Sequence, residues 1–376
     1  MDHLRLTVFG PGHPFRGGIA RANTELVRAL TDRSHEVLFL TPKRQYPGWI
    51  YPGTSDRDPD SCPVLESSRA VIDPLNPISW GSVRALAREH RADAWIIPYW
   101  TWAWSGLWWY LLRDAQRPSA VTVVHNPVDH DARVWQRIAA RGVLGRCEAL
   151  FTHASVLAAE LEQTYPGTLV GHHRLPAAGV SGHPDRGAAR QTLDLPPERR
   201  VALFLGLIRP YKGVDVLLEA AAALDAGSDW MILIAGEPWG DLGEEIRRQV
   251  DALGLGDRVR LNLGWIPENQ IPVYLAAADL LVLPYRRGSQ SAVAPMALAS
   301  GTPVVSTSVG GVPEVVVHGV NGLIVPPADP AAISRVLESL DTDRLAALAG
   351  GARESAAELT WASYASNLEK VLGRIG

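Results

Sequence analysis

Short β-branched and apolar runs alternate with stretches of helical period along the whole chain, and this alternation narrows the fold more than any other feature. The strand-like runs are residues 4–9, 36–40, 94–98, 120–125 and 149–153 in the first half. In the second half they are 201–207, 230–235, 259–263, 280–283, 304–306 and 322–325. Residues 18–33 place Ile19, Ala22, Leu26 and Leu30 on one helical face, and the stretch after Lys212 does the same with Val214, Leu217, Leu218, Ala221 and Leu224. A parallel neighbour strand is reached only through a crossover, so the alternation implies parallel sheets covered by helices on both faces. At 376 residues the chain exceeds one typical core, and 47 % apolar content suffices for two. The expectation is two doubly wound α/β domains, residues 1–180 and 181–360, joined in the Gly-, Pro- and Ala-rich stretch 176–190, with a last helix over 361–376.

A net charge of -4 argues against nucleic acid as a partner. The two cysteines, Cys62 and Cys147, form no CxxC pattern, so neither a zinc site nor a disulfide framework is implied, and a reducing cytoplasm fits. The start lacks the basic and long apolar regions of a signal peptide. The most apolar stretch, residues 96–112, is shorter than the roughly 20 residues a span needs, and Pro98 and Gly106 interrupt it. A soluble protein is expected. Residues 42–78 are rich in turns (PGW, PGTSDRDPDS, DPLNP) and are expected to form a functional loop.

Ligands of open α/β sheets bind beyond the carboxyl ends of the strands, so the loops after strands are where chemistry is sought. Four stand out. GPGHPFRGGIAR, residues 10–21, puts Gly17 and Gly18 at a helix start whose N–H groups could hold an anion, or simply form a strand-to-helix turn. LIRPYKGVDVLLEA sets Arg209 and Lys212 three apart at a helix start, a pattern that suits a diphosphate or a solvated basic turn. Small residues from Gly288 to Ser291 lead into a helix in which Pro295 fits only within the first turn. His125 stands directly after a strand and is either structural or catalytic. There is no GxSxG, HExxH, Walker loop or hydrolase-type carboxylate pair. These loops imply a two-domain α/β protein that binds a phosphorylated ligand between its domains.

The run RPYKGVDVLLEA, then GE at 236–237, AAADLLVLPYRRGSQS and SGTPVVSTSVGGVPEVVVHGVNGLIVPPAD, in that order, resembles family four of the glycosyltransferases. GGIAR near the start and HN at 125–126 agree with it, and RQYPGWIYPG, residues 44–53, resembles one bacterial branch. The resemblance implies the GT-B fold, two Rossmann-like doubly wound domains facing a central cleft. The N-terminal domain would hold the acceptor and the C-terminal domain the nucleotide sugar, with the helix from Trp361 crossing back. It implies retaining, metal-free transfer, with no cofactor, from a UDP, GDP or dTDP sugar. Arg209 and Lys212 would hold the diphosphate, and His125 would lie near the transferred sugar. Gly17 and Gly18 would lie over the phosphates or acceptor, with Gly236 and Glu237 on the donor. The backbone at Gly264, Trp265 and Ile266 would meet the nucleobase.

The chain departs from that family in one loop. Two glutamates eight positions apart are usual there, and Gly288 and Met296 stand in their places. The sequence QSAV follows instead, so Gln290, Ser291 and the backbone N–H groups of Ala292 and Val293 are expected to take over donor contacts. Met296 cannot accept hydrogen bonds from ribose hydroxyls, which suggests a deoxyribose donor such as a dTDP sugar. Trp100, Trp102, Trp104, Trp108 and Trp109 crowd after a strand, either lining a sugar or apolar site or filling a core. Arg133, Arg137 and Arg141 recur every four residues, a solvated face or a basic one that meets an anionic membrane at the inner, cytoplasmic surface. Two rivals remain: another enzyme on the same scaffold, such as an epimerase or phosphorylase, and a GT-B nucleotide-binding or regulatory protein without activity.

Overall fold

The computed structural model describes residues 3–45, 55–58, 64–127, 134–178, 182 and 184–376. The chain divides into two compact units, one of Met1–Leu175 with Thr360–Gly376 and one of Pro176–Leu359. The sequence places these boundaries at 180/181 and at 360/361.

The first unit holds a seven-stranded sheet. Its strands are β1 (Arg5–Phe9), β2 (Glu36–Pro42), β3 (Ser68–Ile72), β4 (Ala94–Tyr99), β5 (Ser119–Val124), β6 (Ala149–Thr152) and β7 (Leu169–His172). They run parallel in the order β3-β2-β1-β4-β5-β6-β7. Every residue of β4 is buried, as a strand covered on both faces must be. One face packs Leu26, Leu30, Val121 and Phe151 with Tyr364 and Leu368 of the C-terminal helix Trp361–Leu372. That helix is tied down at Glu369, which pairs with Arg33 and accepts from His35 Nε2 at 2.9 Å. The other face packs Trp95, Trp104, Trp108 and Leu111.

The second unit holds a six-stranded sheet of β8 (Arg200–Leu205), β9 (Trp230–Ala235), β10 (Val259–Asn262), β11 (Leu280–Leu283), β12 (Val304–Thr307) and β13 (Gly322–Val325). The order is β10-β9-β8-β11-β12-β13, parallel throughout. Its core joins Leu203, Leu217, Leu233, Leu281 and Leu298.

Two strands, β3 and β7, escaped the sequence reading. Both are sheet edges, short and half-exposed, so neither shows the unbroken apolar run of a central strand. The expected loop over 42–78 is corrected accordingly. It contains β3 and the start of the helix Pro77–Glu89, while 46–54 and 59–63 lie outside the described residues. Cys62 and Arg133 also lie outside them. Cys147 is a buried free thiol whose pKa burial pushes up to about 12. Of the crowded tryptophans, Trp100, Trp104 and Trp108 fill the core, and Trp102 and Trp109 stay on the surface.

Candidate functional site

In each sheet the strand order reverses once, at β1/β4 and at β8/β11. Connections leave such a point in opposite directions, so the loops after these strands frame a crevice.

In the second unit the loop after β8 passes Gly206 into a 3-10 turn, Pro210–Lys212, and then the helix Val214–Ala222. Gly213 joins turn to helix at φ 70°. A Cβ there would also lie 2.1 Å from the Pro284 carbonyl oxygen, so only glycine lets the β8 and β11 loops touch. Arg286 locks them further. Its backbone N–H donates to the Tyr211 carbonyl at 2.8 Å, and its guanidinium meets Asp215 through contacts of 2.6 and 2.5 Å. Asp215, in the first turn of the helix, is thus engaged by Arg286 and does not neutralise Lys212.

The Lys212 ammonium lies 5.6 Å from the centre of the Tyr285 ring. Among the described residues no carboxylate pairs with it. Burial first, and the neighbouring Arg209 second, push its pKa down to about 8. The Arg209 guanidinium lies over the Trp239 ring. The turn is a concentrated positive charge without a counter-ion on Lys212.

The loop after β11 carries Gly288, Gln290 and Ser291 into the helix Val293–Ala299. The Ser291 hydroxyl accepts from the N–H groups of Val293 and Ala294, each at 3.3 Å, and lies 3.4 Å from the Tyr285 hydroxyl. Val293 N–H is therefore already engaged within the loop. Pro295 sits in the first turn, where its missing N–H is harmless. Among the described residues Gln290 Oε1 is buried without a hydrogen-bond partner, an orphan of the kind ligands or water satisfy. Met296 points the other way, 2 % exposed in the core, and offers ribose no acceptor.

Gly236, after β9, has a φ of 152°, and a Cβ there would lie 1.9 Å from the Gly206 carbonyl. The Glu237 carbonyl accepts from Ile208 N–H at 2.8 Å, holding this loop beside the Arg209 turn. Gly264 and half-buried Trp265 follow β10, and Ile266 closes the core beneath them. The structure therefore gathers Arg209, Lys212, Gly236, Glu237, Gly264, Trp265, Gln290, Ser291, Ala292 and Val293 at the carboxyl end of one sheet.

In the first unit Gly17, at φ 106°, opens the helix Gly18–Asp32, and nothing lies within 4 Å of where its Cβ would be. His125 follows β5. Its N–H donates to the Tyr99 carbonyl at 2.8 Å, and its Nδ1 lies 3.0 Å from Nε2 of His153, which follows β6. His153 Nδ1 lies 3.3 Å from the Tyr364 hydroxyl. Burial lowers the His125 pKa to about 4, and burial together with His125 and His173 drives His153 well below its ordinary value. Both imidazoles are neutral at neutral pH. His153 and Tyr364 were missed in the sequence, although His153, like His125, stands at a strand's carboxyl end. Beside them Tyr99, Trp100, Thr101, Trp102, Asn126 and Gln136 line a small pocket.

Two family descriptions match the chain: "Glycosyltransferase Family 4" over residues 16–169 and "Glycosyl transferases group 1" over 185–357. The D-inositol 3-phosphate glycosyltransferase of Thermobispora bispora is 38% identical over 205 residues, covering 50% of this chain and 46% of that protein. The chain spans about half the length of the first such relatives it matches. The Corynebacterium urealyticum protein of the same name is 30% identical over 317 residues, 77% of this chain and 73% of the relative. Two solved structures share the fold: sucrose-phosphate synthase from Thermosynechococcus elongatus, and Anabaena HepE in complex with UDP and glucose. The first has a TM-score of 0.81 at 20% identity over 98% of both chains. The second has 0.79 at 18% identity over 99% of this chain and 100% of the other. With both halves matched in order, and a relative aligned over most of its length, this chain belongs to glycosyltransferase family 4 and has the two Rossmann-like units of the GT-B fold.

Proposed function

We propose that the chain transfers a glycosyl group from a nucleoside diphosphate sugar to a hydroxyl acceptor with retention of configuration, the second unit holding the donor and the first the acceptor. The support is the turn at Arg209 and Lys212, two cations at a switch point of which Lys212 has no carboxylate partner among the described residues. Negative charge grows on the departing diphosphate as its bond to the anomeric carbon breaks, and preplaced cations stabilise that state more than the ground state. The acceptor oxygen bonds the anomeric carbon on the face the diphosphate leaves, and its proton passes to a diphosphate oxygen. The two cations do the work a metal does elsewhere. The HepE structures hold UDP or UDP-glucose and a starch synthase neighbour holds ADP, which agrees with a nucleotide donor. Melting of the purified chain against UDP, GDP, ADP and dTDP tests the donor half, since a ligand of the folded state raises Tm. A rise with one nucleotide fixes the donor class, and preference for dTDP over UDP supports a deoxyribose donor. No rise with any at millimolar concentration overturns the proposal and leaves a nucleotide-free scaffold.

We further infer that the first unit works at a cytoplasmic membrane face. On the helix Val134–Leu144 the residues turned outward are Val134, Trp135 and Ile138, with Arg137 and Arg141 beside them. Trp135 meets exposed Trp102, with ring centres 4.6 Å apart. Exposed Trp109, on the neighbouring helix Ser105–Leu112, carries the Arg113 guanidinium at 4.3 Å and Arg146 at 6.0 Å. Neither helix contains an acidic residue. Apolar side chains at the apex with arginines around them suit anionic lipid. No helix among the described residues is long and apolar enough to cross a membrane.

A further inference from the structure

The parallel pairing of β8 and β9 runs on past the ends of both strands. Ile208 N–H donates to the Glu237 carbonyl at 2.8 Å, and Trp239 N–H donates to the Ile208 carbonyl at 3.0 Å. Ile208 thus bridges Pro238 in parallel register, with Arg209 next on one segment and Trp239 next on the other. Side chains alternate along an extended segment, and Ile208 is buried in the core, so the residue after it faces the other way. Arg209 is extended, at φ -129° and ψ 153°. Its guanidinium and the Trp239 indole meet on that side, both residues half-buried. The guanidinium carbon lies 3.3 Å from the centre of the ring, which is face contact. Gly240, at φ 60°, then turns the chain toward the helix Leu242–Ala252.

This stacking acts on the cation in three ways. A guanidinium donates in its own plane, so a ring on its face takes none of the directions in which it donates. A pair of phosphate oxygens approaches along the edge, where the fork matches them. The ring also restricts a side chain that otherwise carries a large rotamer entropy. Finally, Arg209 and Lys212 are like charges in one turn, and the charge of Arg209 helps push the Lys212 pKa down. Repulsion drives two such cations apart. The negative face of the indole opposes that drift and keeps Arg209 in the turn.

We propose that Trp239 is a positioning residue for the donor diphosphate, holding the Arg209 guanidinium beside Lys212 with its edge presented to the phosphates. In this role Trp239 acts through Arg209 and not on the substrate itself. The phosphate half rests on the glycosyl-transfer proposal; the stack does not.

The stack is read first, without ligand, in a proton–nitrogen correlation spectrum of the full chain labelled with nitrogen-15 in arginine. The Arg209 Nε–H signal is assigned by its loss in Arg209→Lys. Ring current shields a proton over the face of an indole. The signal is therefore expected upfield of the ordinary arginine position, and it should return there in Trp239→Leu. Calorimetric titration with UDP, GDP, ADP and dTDP then measures binding. For the nucleotide that binds, Trp239→Leu should weaken affinity about tenfold, the worth of one largely desolvated cation–ring contact. Trp239→Phe keeps a smaller aromatic face and should lose less, and it carries both comparisons if Trp239→Leu does not fold. In the Arg209→Ala background the same change at Trp239 should add nothing, because two residues that act through one contact are not additive. Full additivity, or wild-type affinity in Trp239→Leu, overturns the positioning role. A wild-type signal at the ordinary position, or one that Trp239→Leu leaves in place, overturns the stack. Wild-type affinity in Arg209→Ala, or a wild-type chain that binds none of the four nucleotides, sinks the diphosphate reading and this use of Trp239 with it, while the spectrum still decides the stack.

Discussion

At the carboxyl end of the first sheet the candidate groups are two imidazoles and a phenol, all desolvated and neutral. At the same end of the second they are a guanidinium and an ammonium, with small residues and a buried orphan amide oxygen opposite. The sheets have the same reversal of strand order and the same double layer of helices. Topology therefore chooses where a ligand can sit, and the loops choose what it must be. Burial acts on both ends to a similar extent but from different ordinary values. It lowers His125 to about 4 and, with the neighbouring Arg209, Lys212 to about 8. Across the interval between those values the first end stays neutral while the second stays positive. A neutral hydroxyl acceptor suits one and a diphosphate the other.

The sharpest way to break this contrast is to discharge the second end. Arg209→Ala and Lys212→Ala should each reduce kcat by about 10²–10³, the usual cost of losing one group aimed at developing charge. Steady-state turnover with the nucleotide sugar found by the melting screen measures it. Turnover within a few-fold of wild type in both variants would remove the cations from the mechanism. Next in size is a backbone change. Gly213→Ala meets both a left-handed φ and the Pro284 carbonyl, and should destabilise the second unit by at least about 2 kcal/mol. Gly17→Ala, in open space at the corresponding end of the first unit, should cost less. Urea titrations of the two variants compare them, and equal losses would show that the clash at Gly213 is relieved.

The contrast between the ends was only partly legible in the sequence. The strand runs fixed the sheets because central strands buried on two faces read as unbroken apolar segments, and the edge strands β3 and β7 were lost for the opposite reason. Arg209 and Lys212 could be read because they are neighbours in sequence as well as in space. His153 and Tyr364 could not, since the His125–His153 and His153–Tyr364 contacts cross 28 and 211 residues and exist only once β6 and the C-terminal helix are in place. Met296 shows a further limit. A family position can be found by counting, but whether its side chain faces a ligand or the core depends on packing.

pH probes the same contrast more gently. Lys212 must be protonated to hold a diphosphate, and a bound anion raises its pKa. Nucleotide affinity should therefore be flat below about 8, where the free protein already carries the proton. Above that value it should fall by up to about tenfold per pH unit, as binding must take up one proton. His125 and His153 should add no slope in the neutral range, because both are already uncharged there. Calorimetric titrations in buffers of different ionisation heat report the proton uptake. Uptake beginning near neutral pH would assign the slope to a histidine and not to Lys212.

The smallest effect concerns the outer face of the first unit. Ile138 is 65% exposed, so Ile138→Ser removes little that the fold needs. Its transfer to lipid is worth about 1–2 kcal/mol, and each arginine near an anionic surface adds about 1 kcal/mol. Ile138→Ser and Arg137→Ser should then each weaken binding to anionic vesicles several-fold while leaving turnover of soluble substrates unchanged. The two should differ in salt. The arginine's share is screened as ionic strength rises, and the isoleucine's is not. Cosedimentation with anionic and with zwitterionic vesicles separates these contributions. Binding to neither would return the arginines to a solvated face, whereas binding that Arg137→Ser weakens only at low salt would show lipid charge and apolar insertion acting together on a unit whose ligand end is uncharged.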